Sequence, residues 1–290
     1  MLITVFTPTY NRANTIIRTF ESLKKQRFRD FEWLIIDDGS TDDSETIIKN
    51  LSADCDFVIR YIKKENGGKH TAYNLALDEA RGDLFFTVDS DDWLPEGSLE
   101  RIASHFKSIA CEKSLAGIVG LKENQHCKLI GKSFRRDVFT ASFRELELSG
   151  QHGERSIIFK TKIAREYRFP VIDGERFMTE GVVYDRFCKY SFLILNEVFT
   201  TCEYQENGLS SNPKTLMMRN PGGYMLYYRN RIDLASTLRE RIGYVLRYNV
   251  FRHLITGNHP ESYRGPHSIL VRALNIVNPL TTYYYKRSQE

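Results

Sequence analysis

The chain has 290 residues and a net charge of +4, a length that fits one enlarged α/β domain with a tail and does not require two domains. Its five cysteines (Cys55, Cys111, Cys127, Cys188, Cys202) are odd in number, widely spaced and without a Cys-x-x-Cys pair; this argues against a disulfide framework or a zinc site and for reduced, cytosolic thiols. Met1 runs straight into a strand-like segment and no apolar run is long enough to span a bilayer, so neither a secretory signal nor a membrane-spanning helix is expected.

Ile3 to Thr7 reads as a short strand that breaks into Pro8-Thr9-Tyr10-Asn11-Arg12, followed by Ile16, Phe20 and Leu23 at helix spacing. Phe31 to Ile36 repeats the plan, with Asp37-Asp38-Gly39-Ser40-Thr41-Asp42 as the loop and Ile47, Ile48 and Leu51 on the helix. A third unit runs from Phe57 to Ile62 through Asn66-Gly67-Gly68-Lys69-His70 to Ala72, Leu75, Ala76 and Ala80. In the fourth, the apolar run Leu84 to Val88 ends in Asp89-Ser90-Asp91-Asp92. Three carboxylates so close repel one another when partly desolvated, which suits a divalent cation among them; an acidic loop with Asp92 as the N-cap of the next helix is the plainer alternative.

Four strand-loop-helix units in succession imply a mostly parallel, Rossmann-like sheet flanked by helices. In such sheets ligands bind beyond the carboxyl ends of the strands, where all four polar loops fall. Gly67 and Gly68 let a ligand approach the backbone and Lys69 offers a phosphate a cation, or the three form a solvated turn. His70 reads as scaffolding. Further on, Leu99, Ile102, Phe106 and Ile109 mark a helix, and Gly117 to Leu121, Ser156 to Phe159 and Phe192 to Phe199 mark strands, while Lys128 to Gly150 is mixed. Thr179 is expected as an N-cap, putting Glu180 in the first turn of a helix carrying Val183, Phe187 and Tyr190.

From Pro221 the pattern is helical, through Leu226, Leu234, Leu238, Ile242 and Leu246, until Asn258 to Pro266 interrupts it. Met217 to Glu290 holds 11 lysines and arginines against 4 acidic residues, and 9 of the 16 tyrosines. That composition suits an anionic membrane surface or a phosphate-bearing acceptor, and equally a solvated face or a homodimer contact. No nucleic-acid partner is expected.

Taken together, Thr7 to Arg12, Asp37 to Asp42, Asn66 to Lys69 with Ala72 and Asn74, and Asp89 to Asp92 make the chain resemble the family 2 glycosyltransferases of the GT-A fold, in the branch that builds bacterial surface polysaccharides such as capsule and O-antigen. The resemblance covers about Ile3 to Asn207. It implies a GT-A domain over 1–215, with a nucleotide-binding half (1–110) and an acceptor half (111–215), followed by a helical, basic extension (216–290). The implied activity is inverting transfer of a hexose-type sugar from a nucleotide-diphosphate sugar, expected to be UDP-linked, to a glycan acceptor. A lipid-linked acceptor would place the protein peripherally on the inner face of the cell membrane.

By the same resemblance, Pro8, Thr9, Tyr10, Arg12, Asp38, Lys69, Asp89 and Ser90 contact the nucleotide, and Asp91 ligates Mn2+ or Mg2+. A metal there would neutralise charge on the departing diphosphate, and Asp38 would accept a hydrogen bond from the base. The family's base lies in a Glu-Asp pair; here Glu180 matches and Gly181 stands where the aspartate would be, with Asp185 as second candidate. A GT-A protein that binds nucleotide or glycan without transfer is the alternative. A nucleotidyltransferase would need a Gly-rich basic loop after the first strand, which Thr7-Pro8-Thr9-Tyr10 does not supply.

Overall fold

Each apolar run of the N-terminal half forms a strand, and the order of strands in the sheet decides where the loops meet. The computed structural model describes residues 1–53, 55–151, 153–203, 213–255 and 263–275. Contacts divide the chain into two compact units, Met1–Arg168 with Phe187–Gln205, and Phe169–Arg186 with Glu206–Glu290. Residues 169–186, assigned from the sequence to the acceptor half of a 1–215 domain, therefore group with the C-terminal helices.

The first unit is built on one eight-stranded sheet of order β3-β2-β1-β4-β7-β5-β8-β6. Its strands are β1 (Ile3–Thr9), β2 (Phe31–Asp37), β3 (Val58–Lys63), β4 (Leu84–Thr87), β5 (Leu115–Asn124), β6 (Val138–Ala141), β7 (Arg155–Lys160) and β8 (Ser191–Cys202). The strands β3, β2, β1 and β4 are mutually parallel, β7 runs antiparallel between β4 and β5, and β8 pairs parallel with β5 and antiparallel with β6. The expected mostly parallel α/β sheet is thus present.

Side chains alternate between the two sheet faces. Ile3, Val5, Trp33, Ile35, Leu84 and Phe86 point into a core shared with Ile16, Phe20 and Leu23 of α1 (Ile16–Lys24), Ile48 of α2 (Ser44–Ser52), and Leu99, Ile102 and Ile109 of α4 (Ser98–Ile109). On the opposite face, Phe6 and Phe85 stack at 5.4 Å and meet Tyr73 of α3 (Lys69–Glu79) edge-on. Every residue of β1 and β2 is buried, as expected for parallel strands covered on both sides.

The stretch that the sequence leaves mixed contains β6 and α5 (Phe143–Leu148), which opens on a capping box between Ser142 and Glu145. Asp92 does not cap the next helix: α4 starts at Ser98, after Gly97 in a left-handed conformation (φ 73°). After β7 comes the single turn α6 (Thr161–Ala164).

In the second unit, the helix expected after Thr179 is α7 (Gly181–Tyr184), continued only by a 3-10 turn over Asp185–Phe187. Glu180 therefore occupies the N-cap position, not the first turn, and Tyr190 lies beyond the helix. The rest of this unit is α8 (Pro213–Arg219), α9 (Pro221–Leu234), α10 (Leu238–Leu254) and α11 (Ser268–Leu274). Residues 235–237 interrupt what the sequence suggests is one helical run, and Thr237 caps α10 by accepting from the Glu240 N–H at 3.2 Å.

Tyr224, Tyr228, Tyr248 and Tyr263 are buried and form a core with Ile232, Val245, Phe251 and Val271. The expectation that the tail's tyrosines face a membrane is corrected for these four: the i, i+4 spacing of Tyr224, Tyr228 and Ile232 is a helix's inward stripe. Tyr283, Tyr284 and Tyr285 lie outside the described residues, as does 256–262, most of the expected interruption. Among the described residues, no helix is long and apolar enough to cross a membrane.

Candidate active site

Because β1, β2 and β4 are parallel neighbours, the loops that follow them leave from one edge of the sheet. Asn11, in a left-handed conformation (φ 52°), ties the first two loops together. Its Oδ1 accepts from the Thr41 N–H at 2.8 Å, and its own N–H donates to Ser40 Oγ at 2.9 Å. The Ala13 N–H donates to Asp42 Oδ2 at 3.0 Å. Burial raises the Asp42 carboxyl, but the Ser44 hydroxyl and the Ala13 N–H more than offset this and hold it below the ordinary range.

Asp38, expected at the nucleotide base, holds the third loop. Its carboxylate accepts from the Gly67 and Gly68 N–H groups at 2.9 and 2.7 Å and from Lys64 Nζ at 2.6 Å. Gly68 has φ 93°, so glycine is needed there to turn both N–H groups toward one carboxylate. That loop delivers Lys69, whose ammonium lies 2.8 Å from Asp89.

The acidic cluster after β4 is compensated one carboxylate at a time. Asp89 faces Lys69, Arg12 lies 3.7 Å from Asp91, and Asp92 is 3.1 Å from Lys122. The repulsion expected among the three is thus met by basic side chains from three other segments. Burial raises the Asp89 carboxyl, yet Lys69 and Lys122 override it and keep the group below the usual carboxylate range. Asp91 moves the other way, raised by its own burial and by the charge on Asp89, with Arg12 opposing. Burial works against the Lys122 ammonium, but the Asp92 carboxylate holds it protonated.

Asp91 is therefore the least compensated of the three, partly exposed and with the longest ion pair. Among the described residues, no group of three or more His, Cys, Asp or Glu side chains could hold a metal. A lone carboxylate fits a hard cation of the Mg2+ type, which keeps water and takes substrate phosphate oxygens as its other ligands.

Two residues that the sequence reading missed frame this loop. Arg18 donates to the Asp91 carbonyl at 2.9 Å, pairs with Glu203 at 2.6 Å and lies over the Trp93 ring at 4.2 Å. Lys122 follows directly on the buried run that ends at Leu121, and a lone cation in that position was the available signal. Of the other expected nucleotide contacts, Pro8, Thr9 and Ser90 are buried at the same sheet edge, while Tyr10 is 48% exposed.

In the second unit, the two base candidates have different surroundings. Glu180 is exposed. Asp185 is half-buried and bonded to Arg231 Nε at 2.7 Å. A Cβ at Gly181 would stand 2.5 Å from Cε2 of Tyr227, so the tyrosine ring fills the space that a side chain at 181 would need. Arg231 lies over that ring at 5.1 Å. The preceding segment is fixed to α9 by Glu175, which accepts from the Gly223 N–H at 2.8 Å and from the Gly222 N–H, and by Asn220 Oδ1, which accepts from the Arg176 and Phe177 N–H groups at 3.0 Å.

Comparisons with known proteins agree with this architecture. The chain is 26% identical over 183 residues to the Streptococcus pneumoniae glycosyltransferase GlyA, covering 58% of this chain and 26% of that protein. It is 27% identical over 169 residues to the Campylobacter jejuni GalNAc(5)-diNAcBac-PP-undecaprenol beta-1,3-glucosyltransferase, covering 58% of this chain and 54% of that one. The match thus spans about a quarter of the first relative and about half of the second. The structure of S. aureus TarS 1-349 in complex with UDP-GlcNAc superposes with a TM-score of 0.63 at 18% identity, covering 100% of this chain and 93% of that one, and so shares the fold. Residues 4–163, which hold all four loops and the Asp89 to Asp92 cluster, match the family model for Glycosyl transferase family 2, and the chain belongs to that family.

Proposed function

We propose that the protein transfers a hexose-type sugar from a UDP-linked sugar to a glycan acceptor during assembly of a bacterial surface polysaccharide, with inversion at the anomeric carbon. The observation that carries this reading is the meeting of Arg12, Lys69, Asp89 and Asp91 from three loops of one sheet edge. Two cations beside two carboxylates suit a ligand that brings both a diphosphate and sugar hydroxyls. The Campylobacter relative, by its name, acts on a polyprenol-diphosphate glycan, which supports a lipid-linked acceptor here and peripheral attachment at the inner face of the membrane.

In this reading Pro8, Thr9, Tyr10, Arg12, Lys69, Asp89 and Ser90 hold the nucleotide, and Asp38 acts by holding the Gly67-Gly68 turn. Asp91 would hold Mn2+ or Mg2+, which supplies Lewis-acid neutralisation of the diphosphate. Glu180 takes the proton from the acceptor hydroxyl, whose oxygen attacks the anomeric carbon as the bond to the diphosphate oxygen breaks. Asp185, committed to Arg231, serves as an anchor for that segment. Gly181 favours a second reading, a protein that binds nucleotide and glycan without transfer, because the aspartate of the family's pair is missing.

Calorimetric titration of UDP, GDP and dTDP with and without Mn2+, on wild type and Asp91→Asn, tests the donor site. Metal-dependent UDP binding that Asp91→Asn abolishes is expected; binding unaffected by both metal and mutation would sink the assignment. Transfer from a panel of UDP-sugars to a polyprenol-diphosphate glycan, lost in Glu180→Gln, separates the enzyme from the binding protein.

A further inference from the structure

Between β5 and β6 the chain carries one acidic residue, the exposed Asp137 next to β6, against Lys128, Lys132, Arg135 and Arg136, all exposed. None of these four forms an ion pair among the described residues. Two aliphatic side chains accompany them at the surface, Leu129 at 40% and Val138 at 59% exposure.

The backbone beneath these side chains is fixed. Asn196 of β8 accepts from the Phe134 N–H at 2.7 Å and donates to the carbonyls of Phe134 at 2.9 Å and Arg136 at 3.1 Å. Phe134 is buried under the guanidinium of Arg155, 4.5 Å from its ring, and Arg155 also donates to the Lys132 carbonyl at 2.8 Å. The cations are thus presented on an ordered frame, and docking would not have to order the loop.

We propose that this surface docks on a membrane leaflet bearing anionic phospholipid headgroups. Four unpaired cations complement the headgroup phosphates, and the two aliphatic side chains among them suit the boundary with the acyl chains. A phosphate polymer in water would use the cations and leave Leu129 and Val138 without a partner. The loop is also joined to the candidate site: the Ile130 N–H donates to the Lys122 carbonyl at 2.9 Å, and Lys122 is the residue paired with Asp92. The docking rests on the loop itself; only its use, bringing the site to a lipid-linked acceptor, rests on the function proposed above.

The test is co-sedimentation of the full chain with phosphatidylcholine vesicles, with and without phosphatidylglycerol, alongside Lys132→Gln/Arg135→Gln/Arg136→Gln and Leu129→Ser/Val138→Ser. Wild type should sediment only with the anionic vesicles, and the triple variant should lose partitioning by about tenfold or more. Its melting temperature and UDP affinity should not change. The aliphatic variant should lose a smaller share. Equal partitioning of wild type and triple variant, or no partitioning of wild type, overturns the proposal. Binding of inorganic polyphosphate that the triple variant loses, without vesicle binding, overturns it in favour of a phosphate polymer. Vesicle binding lost in the triple variant, with no UDP binding by either protein, would uphold the docking surface and reject the proposed function.

Discussion

Lys122 Nζ lies 3.1 Å from Asp92 Oδ2, and the thiol of Cys202 donates to that same oxygen at 3.1 Å. All three side chains are largely or fully buried, so this pair joins β5, the end of β8 and the loop that carries Asp91. Removing one member of a buried pair leaves the other charge uncompensated. Lys122→Met is expected to cost about 3 kcal/mol in urea unfolding. Adding Asp92→Asn should recover part of that loss, because the stranded charge is removed. If the losses of the two single variants simply add in the double, the pair is not coupled as described.

The same loop shows how far the sequence could be read. Its carboxylates were legible because Asp89, Asp91 and Asp92 fall together after an apolar run. Their partners were not, since Arg12, Lys69 and Lys122 come from three distant segments and only the strand order brings them near. Ile16, Phe20 and Leu23 gave their helix away by period alone. The frame of the basic loop depends on Asn196, some sixty positions from Phe134, and no local pattern announces such a bond. The buried tyrosines of α9 and α10 follow an inward stripe at i, i+4 spacing, but counted by composition beside the arginines they read as part of a membrane-facing surface.

Asn11 offers a way to separate backbone strain from hydrogen bonding. Its φ of 52° is uncomfortable for a side chain with a Cβ, and its Oδ1 ties it to Thr41. Asn11→Gly should lose only the hydrogen bonds, about 1 kcal/mol. Asn11→Ala should lose those and also strain the backbone, about 1 kcal/mol further. Both should weaken UDP binding, because Arg12 is the next residue. Thermal unfolding and nucleotide titration on the two variants check this, and an alanine variant as stable as the glycine variant would argue against strain.

His70 should make the sheet unit sensitive to mild acid. Burial lowers its pKa below 6.5, and Lys64 adds to this while Asp38 opposes it. As the pH falls through that ordinary value, the unfolded chain takes up a proton that the folded chain refuses. The unfolded state then binds more protons, so stability rises with pH across this window and falls toward acid. His70→Asn should narrow the difference in denaturant midpoint between about pH 7.5 and about pH 5.5. An unchanged difference would assign the acid sensitivity to other groups.

Gly181 and Tyr227 fit each other by size, and this gives the proposed base its most direct structural test. A methyl group at 181 would meet the tyrosine ring at 2.5 Å, and that ring is backed by Arg231, itself bonded to Asp185. The collision cannot be relieved without moving either α7, next to Glu180, or the α9 side chains that anchor it. Gly181→Ala should therefore lower kcat by about tenfold or more, as small displacements of a catalytic group do, with KM for the UDP-sugar unchanged because the proposed donor contacts belong to the sheet unit. Tyr227→Phe keeps the ring and should therefore keep the steric conflict with a methyl group at 181. Gly181→Ala combined with Tyr227→Leu should regain both kcat and stability relative to Gly181→Ala, since the smaller side chain makes room for the methyl group. Steady-state kinetics and unfolding on these variants check both quantities; recovery of stability without recovery of kcat would keep the steric pair and remove its connection to Glu180.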